Sequence, residues 1–191
     1  MLRLLRRLLP RPLRSLYHGV FALFAALVFR FPSRRLIVVG VTGTTGKSSV
    51  VNWIAYLLRE QGHAVGISST PLVAVGADAR VNTAKMTMPG RLALQRLLRR
   101  MVTAGCRYAI LEMTSEGIAQ HRALGIEVDV AVFTNLAPEH LESHGSFRAY
   151  RAAKGKLFAK LNGRRKVIAG QRVPKVAVVN GDDPQANYFL L

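Results

Sequence analysis

The chain has 191 residues, half of them hydrophobic. That is enough for one domain with a packed core, and disorder is not the default. The formal charge is +18, from 28 Lys and Arg against 10 Asp and Glu, which suits nucleic acid or an anionic membrane. No zinc-finger or RNA-binding signature accompanies it and Trp53 is the only tryptophan, so specific nucleic-acid binding is not expected. Cys106 is the only cysteine. An internal disulfide is excluded, a reducing compartment fits, and a buried, inert thiol is expected.

The basic charge is uneven. Arg3, Arg6, Arg7, Arg11, Arg14, Arg30, Arg34 and Arg35 all precede the first acid, Glu60. A second basic cluster is Arg164, Arg165 and Lys166. "MLRLLRRLLPRPLRS" pairs Leu with Arg at helical spacing, and Pro10 and Pro12 interrupt it. Gly19 to Phe29 is an uncharged apolar run, bounded by His18 and Arg30. It is well short of the roughly 20 residues a membrane span needs. No small-residue cleavage site follows it, as a signal peptide would require. Three readings stay open: a helix packed on the domain, a basic amphipathic anchor on an anionic inner leaflet, or a true span. Pro32 and Ser33 mark a boundary, giving an N-terminal segment over 1–35 and a folded domain over 36–191.

From Leu36 onward strands and helices alternate. "LIVVGV" reads as a buried parallel strand. A glycine loop follows, then a helix from about Ser48 to Gln61, closed by Gly62. "AVGIS" is a short strand, and 72–89 reads as irregular. "GRLALQRLLRRMVTAG" is amphipathic, with Leu94, Leu97, Leu98 and Met101 on one face. "YAILE" and "DVAVFTN" are strands ending on polar residues, "SFRAYRAAKGKLFAKL" a helix and "KVAVVN" a strand. Asp183 and Pro184 then read as the cap and first residue of a last helix. The expected fold is α/β: a phosphate-loop protein with a mostly parallel sheet flanked by helices. Ligands should gather at the carboxyl ends of the strands.

"VGVTGTTGKSSVV", Val39 to Val51, sits at such a strand end and opens a helix. Its glycines can turn backbone N–H groups onto phosphate oxygens, where the helix N-terminus adds positive charge. Gly43, Thr44, Thr45, Gly46, Lys47, Ser48 and Ser49 are therefore the candidate nucleotide loop. Lys47 can reach the β- and γ-phosphates, and Ser48 can ligate Mg²⁺. The spacing departs from G-x-x-x-x-G-K-[ST], because Val41 stands where the first glycine belongs.

Three more stretches accompany the loop: "LEMTSEGIAQHR" from Leu111, "VFTNLAPEHLESHGS" from Val132, and "YRAAKGKLF" from Tyr150. Their order and spacing resemble the central ATP-binding domain of the Mur ligases. These are the ATP-dependent amino-acid ligases of peptidoglycan synthesis, and folylpolyglutamate synthetase is a relative. G-x-x-G-x-x-G-K-[ST] is that family's glycine spacing. The second stretch looks most like the ligase adding the third residue to UDP-N-acetylmuramoyl-dipeptide. The resemblance covers about Leu36 to Pro184. It implies an acyl-phosphate mechanism, with UDP-muramoyl peptide and amino acid as substrates, ATP and two Mg²⁺ as cofactors, and a cytoplasmic location, with the inner membrane face open to the N-terminal segment. On the matching positions, Lys47, His140 and Lys154 are the catalytic candidates. Asn135 joins the nucleotide loop. Ser48, Glu112, His140 and Lys154, the last as a carbamate, are the metal ligands. Thr87, Ser115, Gln120 and Arg122 hold the substrate.

The chain also departs from that pattern. Thr45 replaces an Asn, Thr114 a Ser, Glu116 a His and Glu139 an Asp, which marks a divergent subfamily. The uridine-gripping N-terminal domain and the C-terminal domain of the family lie outside the resemblance. The chain is expected to be a fragment or a stand-alone remnant, with little ligation by itself. Two other readings remain: a catalytically silent nucleotide-binding, membrane-tethered interaction protein, and a folylpolyglutamate synthetase-like ligase.

Overall fold

The computed structural model describes residues 11–84, 86–139 and 141–190. Helix α1 spans Arg11–Val28 and carries Pro12 in its first turn, where a missing backbone N–H costs no helical hydrogen bond. A 3₁₀ turn, Pro32–Arg35, leads into β1, Ile37–Thr42. Then come α2 (Lys47–Glu60), β2 (Val65–Ser68), β3 (Leu72–Val75), β4 (Asp78–Val81), α3 (Arg91–Thr103) and β5 (Tyr108–Glu112). They are followed by α4 (Ser115–Ala119), β6 (Val130–Phe133), α5 (Leu141–His144) and α6 (Phe147–Phe158). The small hairpin β7 (Val167–Ile168) and β8 (Gln171–Arg172) precedes β9 (Val176–Val179) and α7 (Ala186–Leu190).

The main sheet has seven strands in the order β4-β3-β2-β5-β1-β6-β9. β2, β5, β1, β6 and β9 run parallel, as the strand–helix alternation requires. β3 and β4 add an antiparallel hairpin at one edge. The expectation of irregular chain over 72–89 is corrected here. β3 and β4 join through Gly76–Ala77, with Gly76 at φ 62. Gly-Ala is a weak hairpin signal beside Asn-Gly or Asp-Gly, and β4 is exposed along its length, so apolar alternation does not mark it. The last helix starts at Ala186 rather than at Pro184. Asp183 instead divides its carboxylate, accepting from Gln185 N at 2.8 Å and from Leu136 N at 2.8 Å.

Both sheet faces are covered. On one, Val51 and Ala55 of α2 pack on Val39, Val41, Ile67 and Ile110. On the other, Leu94, Leu98 and Met101 of α3 and Tyr150 and Leu157 of α6 pack on Val38, Leu111 and Phe133. Cys106 is buried, and burial raises its thiol above the ordinary range, which fits an inert core residue.

The amino ends of the strands are tied by a buried ion triad. Asp129, fully buried, accepts from Lys166 Nζ at 2.5 Å, Lys175 Nζ at 2.9 Å and Val38 N at 2.9 Å. Lys166 also donates to the carbonyls of Ser33, Leu36 and Glu127 at 2.8–2.9 Å. Lys166 thus parts from Arg164 and Arg165, its neighbours in the basic cluster. Lys166 points into the protein and fixes the entry to β1 against β6. The opposite ends of β1 and β6 carry the phosphate loop and Asn135.

Candidate functional site

The loop between β1 and α2 is shaped by two glycines. Gly46 caps α2 at φ 74, a left-handed conformation that a side chain disfavours. A Cβ on Gly43 would stand 1.9 Å from Thr134 Oγ1, so no side chain fits there. Asn135 props the loop from the next strand. Its Oδ1 accepts from Thr44 N at 3.2 Å and Thr45 N at 2.9 Å, and its Nδ2 donates to Thr45 O at 3.3 Å. Thr44 is buried, its hydroxyl bonded to Tyr150 OH at 3.1 Å and to Ala137 N at 2.9 Å. Ser49 is exposed on the first turn of α2. Lys47 Nζ folds back 2.6 Å from Thr44 O. Its pKa is lowered, by burial first, with the charges of Glu112 and Glu139 opposing.

Ser48, in the first turn of α2, meets Glu112, the last residue of β5, with Ser48 Oγ donating to Glu112 Oε2 at 2.8 Å. Glu112 is only 3% exposed, so its carboxylate must be held. Thr70 holds it, through its N–H at 2.8 Å and its hydroxyl at 3.1 Å. Thr70 Oγ1 in turn lies 2.9 Å from Thr87 Oγ1. Sequence reading missed Thr70. The one signal for it was its place just beyond the carboxyl end of β2, where ligands gather.

Thr87 opens on a cleft of about 450 Å³ lined by Met86, Met88, Thr114, Ser115, Glu116 and Arg122 among others. Three of the expected substrate residues, Thr87, Ser115 and Arg122, therefore share one cleft. The fourth, Gln120, lies beside it and accepts from Arg122 NH2 at 2.8 Å, while Arg122 also donates to the Met88 carbonyl. His144 Nε2 is 3.0 Å from Ser115 Oγ. Thr114 caps α4 by accepting from Gly117 N at 3.1 Å, so this departure keeps a capping hydroxyl.

Lys154 is 1% exposed on α6. Among the described residues its hydrogen bond goes to Gly43 O at 2.6 Å, and its ammonium lies 4.4 Å from the Tyr150 ring centre. Burial, and then the charge of Lys47, lower its pKa to about 7, with Glu139 opposing. His140 lies outside the described residues. The expected metal ligands thus divide. Ser48 and Glu112 touch and offer hard oxygen donors suited to Mg²⁺. Lys154, bonded to Gly43 O, offers an amine, which becomes an oxygen donor only as a carbamate.

The model of the Mur ligase middle domain matches residues 41–190. This chain belongs to the Mur ligase family. A UDP-N-acetylmuramyl-tripeptide synthetase of Treponema pallidum is 42% identical over 167 residues, covering 86% of this chain and 31% of that protein. A UDP-N-acetylmuramoyl-L-alanyl-D-glutamate–2,6-diaminopimelate ligase of Geobacillus kaustophilus is 40% identical over 168 residues, 88% of this chain and 33% of that one. A solved diaminopimelate ligase structure of the same name superposes with a TM-score of 0.68 at 31% identity, over 81% of this chain and 28% of that one. This Mur ligase chain therefore spans about a third of the length of the curated relatives it matches. Mur ligases as a family depend on ATP and magnesium, which fits the loop and the Ser48–Glu112 pair.

Proposed function

We propose that this Mur ligase domain binds Mg·ATP at Gly43–Ser49 and drives ligation of an amino acid to a UDP-N-acetylmuramoyl peptide in the cytoplasm. The observation that carries the reading is a continuous path of hydrogen bonds from the phosphate loop to the acceptor cleft. It runs Ser48–Glu112–Thr70–Thr87, with steps of 2.8, 2.8 and 2.9 Å. Nucleotide and acceptor sites joined in this way suit transfer between their ligands.

The reaction pairs two anions, an acceptor carboxylate and a triphosphate, so alignment and charge neutralisation carry it. Loop N–H groups and Lys47, swung from Thr44 O, would hold the β- and γ-phosphates. Arg122 would hold an anionic part of the acceptor, with Thr87, Ser115 and Gln120 orienting it. A carboxylate oxygen attacks the γ-phosphorus and the bond to ADP breaks, giving an acyl phosphate. The amine of the amino acid then attacks the acyl carbon, phosphate leaves, and the amine loses a proton. Ser48 and Glu112 would hold one magnesium ion, and His140 with Lys154 as its carbamate a second. Magnesium supplies neutralisation of the transferring phosphoryl group.

With a C-terminal ligase domain supplied, phosphate release from ATP should require both a UDP-muramoyl dipeptide and an amino acid. The 191-residue chain alone should release at least about tenfold less. Release that needs a folate acceptor instead would move the protein to the polyglutamylating branch. ATP binding without any release, in the completed form, would leave a nucleotide-binding interaction protein.

A further inference from the structure

Helix α1 is packed inside out. Ala22, Ala25 and Ala26 are buried. They lie against the rest of the domain, Ala26 meeting Gly125 where a Cβ would stand 2.6 Å away, and α1 packs on α3. Six large side chains face the other way. Tyr17, Val20, Leu23, Phe24, Leu27 and Val28 are 46–64% exposed. From Val20 their spacing is i, i+3, i+4, i+7, i+8, one continuous stripe along a helix. Water alone selects the reverse, large residues in and alanines out. A stripe of this size on a soluble surface marks an interaction site.

Charge decides what covers the stripe. No acid precedes Glu60 in the sequence, against eight arginines before Lys47. Arg30 and Arg35, just past the end of α1, and Arg96 on the neighbouring α3 are exposed. Arg34 is exposed too, paired with Glu127 at 2.8 Å. A second copy of the chain would bring a further charge of +18 and set arginines near arginines. Anionic headgroups neutralise them. Among the described residues no helix is long and apolar enough to cross a membrane, so the stripe would lie in the interface plane rather than span it.

We infer that the outer face of α1 seats this protein on an anionic lipid bilayer, its apolar stripe at the headgroup–acyl boundary and its arginines on the headgroups. The test is sedimentation of the 191-residue chain with vesicles of phosphatidylcholine alone and of phosphatidylcholine with phosphatidylglycerol. Binding to the anionic vesicles should be at least about tenfold tighter, and should weaken as salt rises. Leu23→Gln with Leu27→Gln should weaken it at least about tenfold more. Both positions face water, so circular dichroism should be unchanged in the double variant. Equal binding to the two vesicle types, or a double variant that binds like the parent, overturns the inference. So does a parent that sediments as a dimer which the double variant dissociates, since the stripe then belongs to a second copy.

Discussion

Replacing Lys154 by Ala, in a fusion of the chain to the C-terminal domain of a Mur ligase relative, is expected to lower turnover by about 100-fold or more. That is roughly 2.7 kcal/mol of barrier, the usual cost of one lost electrostatic contact to a transferring group. The reasoning starts from burial. Lys154 is 1% exposed beside the phosphate loop, bonded to Gly43 O. Lys47 lies close enough to depress its pKa further, after burial itself. A second buried cation beside Lys47 is costly, and a neutral amine there is open to CO₂. A carbamate would reverse the charge and offer oxygen to a cation. Acetate should therefore restore part of the lost rate by filling the vacated space, while chloride should not. Turnover unchanged in Lys154→Ala would remove the carbamate and leave a packing role.

The largest stability effect is expected at Asp129. Asp129→Ala strips the counter-charge from Lys166 and Lys175 and the acceptor from Val38 N. Lys166 keeps three carbonyl partners, but its charge stays buried, and burial already depresses its pKa despite Asp129 beside it. Breaking one side of a buried pair costs about 3–5 kcal/mol, a large share of the roughly 5–15 kcal/mol that holds a domain together. Urea unfolding should show a matching fall in midpoint. Combining Asp129→Ala with Lys166→Met should recover part of it, because the stranded charge is then gone. A single variant within about 1 kcal/mol of the parent would show that water reaches the triad.

The candidate nucleotide loop was legible in the sequence because it is local. Strand, glycines, Lys-Ser and helix all lie within "VGVTGTTGKSSVV". The parallel core was legible from continuous apolar strands separated by amphipathic helices. Four features were not. Thr70 earns its place by hydrogen bonds across the sheet to Glu112, a register that no local pattern encodes. Lys166 lies in a basic triplet with Arg164 and Arg165, and only the approach of Asp129 and three distant carbonyls turns it inward. In α1 the run from Gly19 to Phe29 is apolar on every side, so periodicity could not say which face would meet the domain. The β3–β4 hairpin escaped because Gly-Ala is a weak turn signal and its outer strand is exposed.

The central claim is that Gly43–Ser49 is a working nucleotide loop. Calorimetric titration of Mg·ATP into the 191-residue chain tests it most directly, beside Lys47→Ala. The account predicts binding by the parent and at least about tenfold weaker binding by the variant, or 1.4 kcal/mol. Equal affinity in the two, or no binding by the parent, would contradict it.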